Sequence, residues 1–208
     1  MLERALKFVL AAASKDDVTP VLTGVKWTTE GSVLTLTASD RYRVCVAKID
    51  VGDDADLDVL MTGTQAKWIL AQKHMPMRDN PDQFVEVSAP TLVPSSEGDR
   101  KPVPVVTARV VAATFEGADE FSMTAVSIAG NFPPVDRLFV EHGKAERADV
   151  VGLSPALLDF LKMMPGNRGE PIKMYAPELG AHGKAGPVQF ESLDGSLRAL
   201  LQPNLLRH

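Results

Sequence analysis

The sequence predicts an α+β fold assembled from repeated units, each a helix followed by antiparallel strands. Apolar residues recur with helical spacing in three places, near residues 2–13, 65–74 and 155–164. Each is followed by runs that alternate apolar and polar residues or are rich in β-branched side chains. Turn residues such as Glu30-Gly31 and Asp194-Gly195 sit between such runs, as hairpins require.

Taken in order, Leu2 to Ala13 reads as a helix, with Leu2, Leu6, Val9, Leu10 and Ala13 on one stripe and Arg4, Lys7 and Lys15 on another face. Val21–Thr28 and Ser32–Ala38 form a predicted hairpin, and Val44–Ile49 a third strand. Between them, Ser39-Asp40-Arg41-Tyr42-Arg43 is a polar corner. Two guanidiniums there cannot be core, so the corner belongs at a sheet end, where Asp40 accepts from nearby backbone or an arginine. The crowded aspartates 53, 54, 56 and 58 lack the glycine turn and closing glutamate of a calcium loop and read as a solvated connection. Val59–Met61 is a short strand, and Thr62 or Thr64 caps a helix over Gln65–His74 that Pro76 stops. That helix buries Ala66, Ile69 and Leu70, while Lys67, His74 and Arg78 share another line with Lys73 beside it. Strands follow at Phe84–Ser88, Val103–Phe115 and Phe121–Ala129, with an exposed loop over 90–104. Asn131–Val140, with Pro133-Pro134, is a stiff extended linker. Beyond it the sequence predicts a strand at Ala148–Leu153 and a helix capped by Ser154-Pro155, its stripe Leu157, Leu158 and Leu161, with Lys162 and Arg168 near its end. A strand at Ile172–Tyr175 and the hairpin Val188–Leu193 to Leu197–Leu201 close the chain. Three helix-plus-strands units result.

Composition narrows the function. The 208 residues contain no apolar run long enough to span a bilayer, and the amino terminus shows no signal-peptide pattern. The single cysteine, Cys45, lies in an alternating strand and reads as a small buried hydrophobe in a reducing, cytoplasmic setting. A net charge of −5 argues against a protein that coats DNA through an overall positive field, yet leaves room for local basic faces. His74, His142, His182 and His208 share no metal-ligand spacing with carboxylates or cysteine. Gly166-Asn167-Arg168-Gly169 is not a phosphate loop, and Ser32, Ser122 and Ser154 lack a nucleophile's context. The expectation is a non-enzyme without cofactor or metal.

Pro20-Val21-Leu22-Thr23-Gly24-Val25, Leu34-Thr35-Leu36 and Ser39-Asp40-Arg41-Tyr42-Arg43-Val44 resemble the middle domain of the bacterial DNA sliding clamp, the beta subunit of DNA polymerase III. Asn131-Phe132-Pro133-Pro134-Val135-Asp136-Arg137-Leu138-Phe139 resembles that family's link to its last domain, and Leu200-Leu201-Gln202-Pro203 its closing strand and tail. The resemblance implies the DNA-clamp fold, with helices on one side of the sheets. It implies a clamp domain over residues 1–140 and, over 141–208, a half-domain like the C-terminal half of the last domain. The first domain and the other half-domain have no counterpart in this sequence.

What the resemblance implies for function is specific. A peptide pocket would be walled by Leu22, Ser39, Arg41, Tyr42, Arg43, Val44 and Val140, with Leu200, Gln202, Pro203 and Asn204 from the tail. It would take short peptides from DNA polymerase and clamp-loader subunits. Gln202 and Asn204 make it more polar than the family's, which expects larger apolar side chains beside the tail proline. Helices carrying Arg4, Lys7, Lys15, Lys67, Lys73, Arg78, Lys162 and Arg168 would face duplex DNA without regard to sequence. Copies would associate head to tail into a closed ring, four at the usual curvature, with two or three as alternatives. The other reading is a clamp-like decoy or adaptor that binds such peptides, or clamp subunits, without encircling DNA.

Overall fold

The computed structural model describes residues 1–52, 56–73, 83–94, 102–114, 117–139, 146–180 and 184–204. The ends predicted at His74, Pro76 and Phe115, the aspartates 53 and 54, and the site residues Val140 and Arg78 lie outside this set.

Helix α1 (Leu2–Leu10) forms on its apolar stripe and buries Ala5, Leu6, Phe8 and Val9. It stops short of Ala13 because Ala11, Ala12 and Ala13 donate to the carbonyls of Phe8, Val9 and Leu10, tightening the last turn to three-residue closure. Val21 and Leu22 are not strand: Pro20 opens a 3₁₀ turn over Pro20–Leu22, and the N–H groups of Leu22 and Thr23 bond Thr19 and Pro20. Strands β1 (Gly24–Glu30), β2 (Val33–Ser39) and β3 (Arg43–Asp50) then run as an antiparallel meander, and β4 (Asp58–Thr62) returns to the outer edge of β1.

Helix α2 (Gly63–Lys73) starts on a reciprocal cap. The Gln65 N–H donates to Thr62 Oγ1 at 3.1 Å, while Gln65 Oε1 accepts from the Thr62 N–H at 3.4 Å. Gln65 Nε2 also donates to the Val106 carbonyl at 2.9 Å, a buried bond that pins the helix to a second sheet. That sheet holds β5 (Gln83–Val87), β6 (Thr91–Val93), β7 (Val103–Thr114) and β8 (Gly117–Val126). Strand β6 interrupts the predicted loop. One side of β7 is covered by β8, and β5 and β6 share the other.

The final strands, β9 (Lys173–Tyr175), β10 (Val188–Glu191) and β11 (Leu197–Leu201), do not stand apart. Strand β11 pairs antiparallel with β3, Arg43 to Ala47 against Leu201 to Leu197, and produces one seven-stranded sheet ordered β4-β1-β2-β3-β11-β10-β9. Its inner face carries Trp27, Leu36, Cys45, Ala47, Ala199 and Phe190 into the main core beneath α1.

Two expectations fail in the third unit. Ala148–Leu153 is not a strand; the chain there makes only isolated bridges, Arg147 to Glu178 and Gly152 to Asn204. Nor is there an α-helix after Ser154. Two 3₁₀ turns, Pro155–Leu157 and Asp159–Met163, take its place, closed by N–H groups of Leu157, Leu158, Leu161 and Met164 reaching back three residues. This tighter path seats Phe160, fully buried, edge-on to Phe8 and Phe190 with ring centroids 6.0 and 5.6 Å away. Leu157, Leu158 and Leu161 are only half-buried, and Phe160 and Met164 are the core residues.

Candidate functional site

The polar corner between β2 and β3 is built by its own side chains. Asp40 Oδ1 accepts from the N–H groups of Tyr42 and Arg43 at 3.1 and 2.9 Å. Ser39 Oγ donates to the Arg43 carbonyl at 3.0 Å and accepts from the Arg41 N–H at 3.3 Å. Closing so tight a loop forces Arg41 to φ 76°, the one left-handed non-glycine among the described residues. Arg41 then reaches outward to Asp16 at 2.5 Å, and Tyr42 keeps 63% of its surface exposed.

Arg43 turns inward. Its Nε donates to Asp40 Oδ2 at 2.9 Å, and its terminal nitrogen donates to the Leu157 carbonyl at 3.1 Å and to Asp159 at 2.5 Å. The corner is thereby fastened to the turn after residue 154. The tail fastens to it as well: the Gln202 N–H donates to the Tyr42 carbonyl, and the Asn204 N–H to the Gly152 carbonyl, both at 2.8 Å. Of the anticipated pocket, Ser39, Arg41, Tyr42, Arg43, Val44, Leu200, Gln202 and Asn204 therefore lie on connected backbone, with Pro203 between the last two. Leu22 is buried, and its carbonyl accepts from the Ser14 N–H beside an open depression lined by Ser14, Lys15, Asp16, Arg41 and Tyr42.

On the outer face of the large sheet, Val44, Val46 and Leu200 pack with Val135 under Phe132 and Phe139 of the linker. The linker covers apolar sheet that would otherwise face water. Arg198 stacks 4.5 Å over the Phe139 ring. Beside the linker a cavity of about 230 Å³ opens, lined by Leu138, Tyr175, Pro177, Leu179, Pro187, Gln189 and Leu200. Sequence reasoning named only Leu200 of these. Strand register held the signal, since Val44, Leu200, Gln189 and Tyr175 are successive cross-strand partners and share one face. Cys45 points to the opposite face, where burial pushes its thiol far above the ordinary range against the smaller opposing pull of Arg43.

The basic residues do not form one row. Arg4, Lys7 and Lys162 line a shared groove between α1 and the 159–163 turn. Arg4 is engaged there: Nε donates to the Met163 carbonyl at 3.1 Å, another nitrogen donates to the Met164 carbonyl, and a third lies 3.7 Å from Asp194. Lys7 pairs with Glu3 at 2.7 Å. Lys15 sits at the corner rather than on α1. Lys67 is exposed on α2, Arg168 is exposed in the turn after 165, and Lys73 ends α2 with its side chain outside the described part.

A meander under a helix, joined edge to edge with a second unit's third strand and bound to a tail at a polar corner, defines a DNA-clamp fold. Residues 1–87 match the family model of the DNA polymerase III beta subunit, central domain. The beta sliding clamp of Bacillus subtilis is 34% identical over 65 residues, 30% of this chain and 17% of that protein. That of Micrococcus luteus is 49% identical over 45 residues, 22% of this chain and 14% of that protein. Among solved structures, the beta subunit from Thermotoga maritima superposes with a TM-score of 0.62 at 17% identity, covering 99% of this chain and 64% of its own. The beta chain from Streptococcus pneumoniae gives 0.61 at 16%, covering 99% and 63%. The chain is thus similar in sequence to bacterial sliding clamps over its first 87 residues and shares their fold along its length, and it spans less than two thirds of the length of these relatives.

Proposed function

We propose that this chain is a reduced DNA sliding clamp, a non-enzymatic processivity factor of the cytoplasm that encircles duplex DNA and tethers replication proteins. The observation that carries the reading is the corner-and-tail arrangement within a chain whose first 87 residues match the clamp's central domain. Residues 1–140 serve as its middle-type domain and 141–208 as a half-domain docked on it. Polymerase and clamp-loader subunits bind through short peptides laid beside Tyr42 and the tail and into the cavity that Leu200 lines beside the linker. Duplex DNA is held by phosphate contacts from the groove of Arg4, Lys7 and Lys162 and from Lys67 and Arg168, weakly and without sequence preference. Copies associate to close the ring, four completing the circle, with two or three as alternatives.

One observation favours the second reading, a clamp-like decoy or adaptor. Arg4, Lys7 and Arg41 are engaged with carbonyls or carboxylates of their own chain, which lowers the charge left for DNA. Calorimetric titration of a clamp-recognition peptide tests the pocket common to both readings. Binding to the wild type, weakened several-fold in Tyr42→Ala, is expected. No binding, or equal binding to both proteins, rejects the pocket.

A further inference from the structure

On β10, Gln189 stands between Leu200 and Tyr175, its partners on the neighbouring strands, and all three wall the cavity beside the linker. Gln189 is only 4% exposed, and its Oε1 has no hydrogen-bond partner. A buried acceptor without a donor is a standing cost to the fold, and a valine or leucine at this register would fill the strand without it. Trp27 Nε1 and Arg198 Nε share this condition, but neither residue lines the cavity.

The cavity is held open by backbone. The Gly186 N–H donates to the Glu178 carbonyl and the Gly180 N–H to the Lys184 carbonyl, both at 2.9 Å, and Leu179 bridges Ala185 across the same loop. Leu138, Pro177 and Pro187 complete the apolar wall around the Tyr175 ring. Proline and tyrosine present flat faces, which suit a flat aromatic guest, and about 230 Å³ gives it room.

We infer that this cavity seats a tryptophan side chain of the partner peptide, whose indole N–H donates to Gln189 Oε1. The choice of guest follows from the inventory of donors. Indole carries one N–H and no acceptor, so it satisfies the orphaned oxygen and buries no new polar atom. Phenylalanine leaves that oxygen unpaired, tyrosine adds acceptor lone pairs that need donors, and lysine or arginine buries a charge. Rotation of the Gln189 amide about its last bond exchanges its oxygen and nitrogen, and an incoming donor selects the orientation that offers the oxygen. Gln189 is thereby a specificity-determining residue. Glu178, half-buried in the same wall, is the other side-chain acceptor, and a Gln189 variant tells the two apart.

The inference rests on the reading that partner peptides reach this cavity, and its test separates the two. Calorimetric titration of the full chain uses a clamp-recognition peptide and a set in which each of its residues is replaced in turn by tryptophan. One position should bind several-fold more tightly than the parent. At that position 1-methyltryptophan, which keeps the ring and loses the N–H, should bind roughly tenfold more weakly than tryptophan. Gln189→Met should abolish the difference between the two peptides, with an unchanged circular dichroism spectrum, because it removes an acceptor that had no partner. Should that variant fail to fold, the comparison of tryptophan with 1-methyltryptophan on the wild type decides. A parent peptide that does not bind rejects the pocket and this inference together. A parent that binds while tryptophan gains at no position overturns the inference alone. So does a gain that 1-methyltryptophan keeps, or a difference that survives in folded Gln189→Met.

Discussion

Arg43 shows how much a single side chain does in this molecule. It was legible as a cation at a sheet end, and its likeness to the clamp corner gave it a place in a peptide pocket. What the sequence hid was its direction. Its side chain is only 11% exposed and ties the corner to Leu157 and Asp159, residues more than a hundred positions away, a distance no local pattern reports. Arg43→Ala leaves Asp40 largely buried without its cation and the Leu157 carbonyl without this donor, and should cost about 2–3 kcal/mol by urea denaturation. An unchanged midpoint would mean that the network is ornamental. Asp194 offers a pH test. Burial raises its carboxyl, but bonds from Ser192 Oγ, the Ser196 N–H and hydroxyl, and the charge of Arg4 outweigh this and hold it at about 2. A lowered carboxylate stabilises the fold above its ordinary value of 3.8 and loses that stabilisation as pH falls towards 2. Wild-type stability should therefore fall across that interval, and Asp194→Asn should show a shallower decline. The side chain is about half exposed, so the effect is small.

At the scale of elements, strands were read better than helical segments. Alternation located β1 to β4, β7 and the β10–β11 hairpin because each has one face in the core and one outside it. The segment after Ser154 misled because its leucines suit a helix, whereas the native path is set from outside, by Phe160 between two aromatic rings and by Arg4 on the terminal carbonyls. The strand expected at 148–153 failed for a related reason. Its backbone partners are single residues of the tail and of the 178 segment, so no ladder forms. Helix α2 makes the best-defined test at this scale. Gln65 both closes the cap with Thr62 and donates to the Val106 carbonyl, linking helix to second sheet. Gln65→Leu keeps the volume and the backbone bond to Thr62 Oγ1, but takes the side-chain donor from the buried Val106 carbonyl and the side-chain acceptor from the half-buried Thr62 N–H, and should lower stability by about 1–3 kcal/mol. If thermal melting of this variant matched the wild type, the helix would be held by its apolar stripe alone.

For the whole molecule, the sheet that runs through β3 into β11 makes the third unit part of the same body as the first. The three units themselves were visible in sequence periodicity; their joining was not, because β3 and β11 are separated by nearly the length of the chain. Clamp-like corner, tail and basic groove then lie on one framework, while the chain as a whole carries a net charge of −5. On the proposed function, such a molecule discourages DNA from lying on its outside and depends on assembly to hold it within. The most direct measurement of that claim is single-particle electron microscopy of the assembled chain. The account predicts closed rings whose central hole admits a DNA duplex, with the helices of each copy turned inward. Isolated particles, or closed assemblies with the helices turned outward, would contradict it.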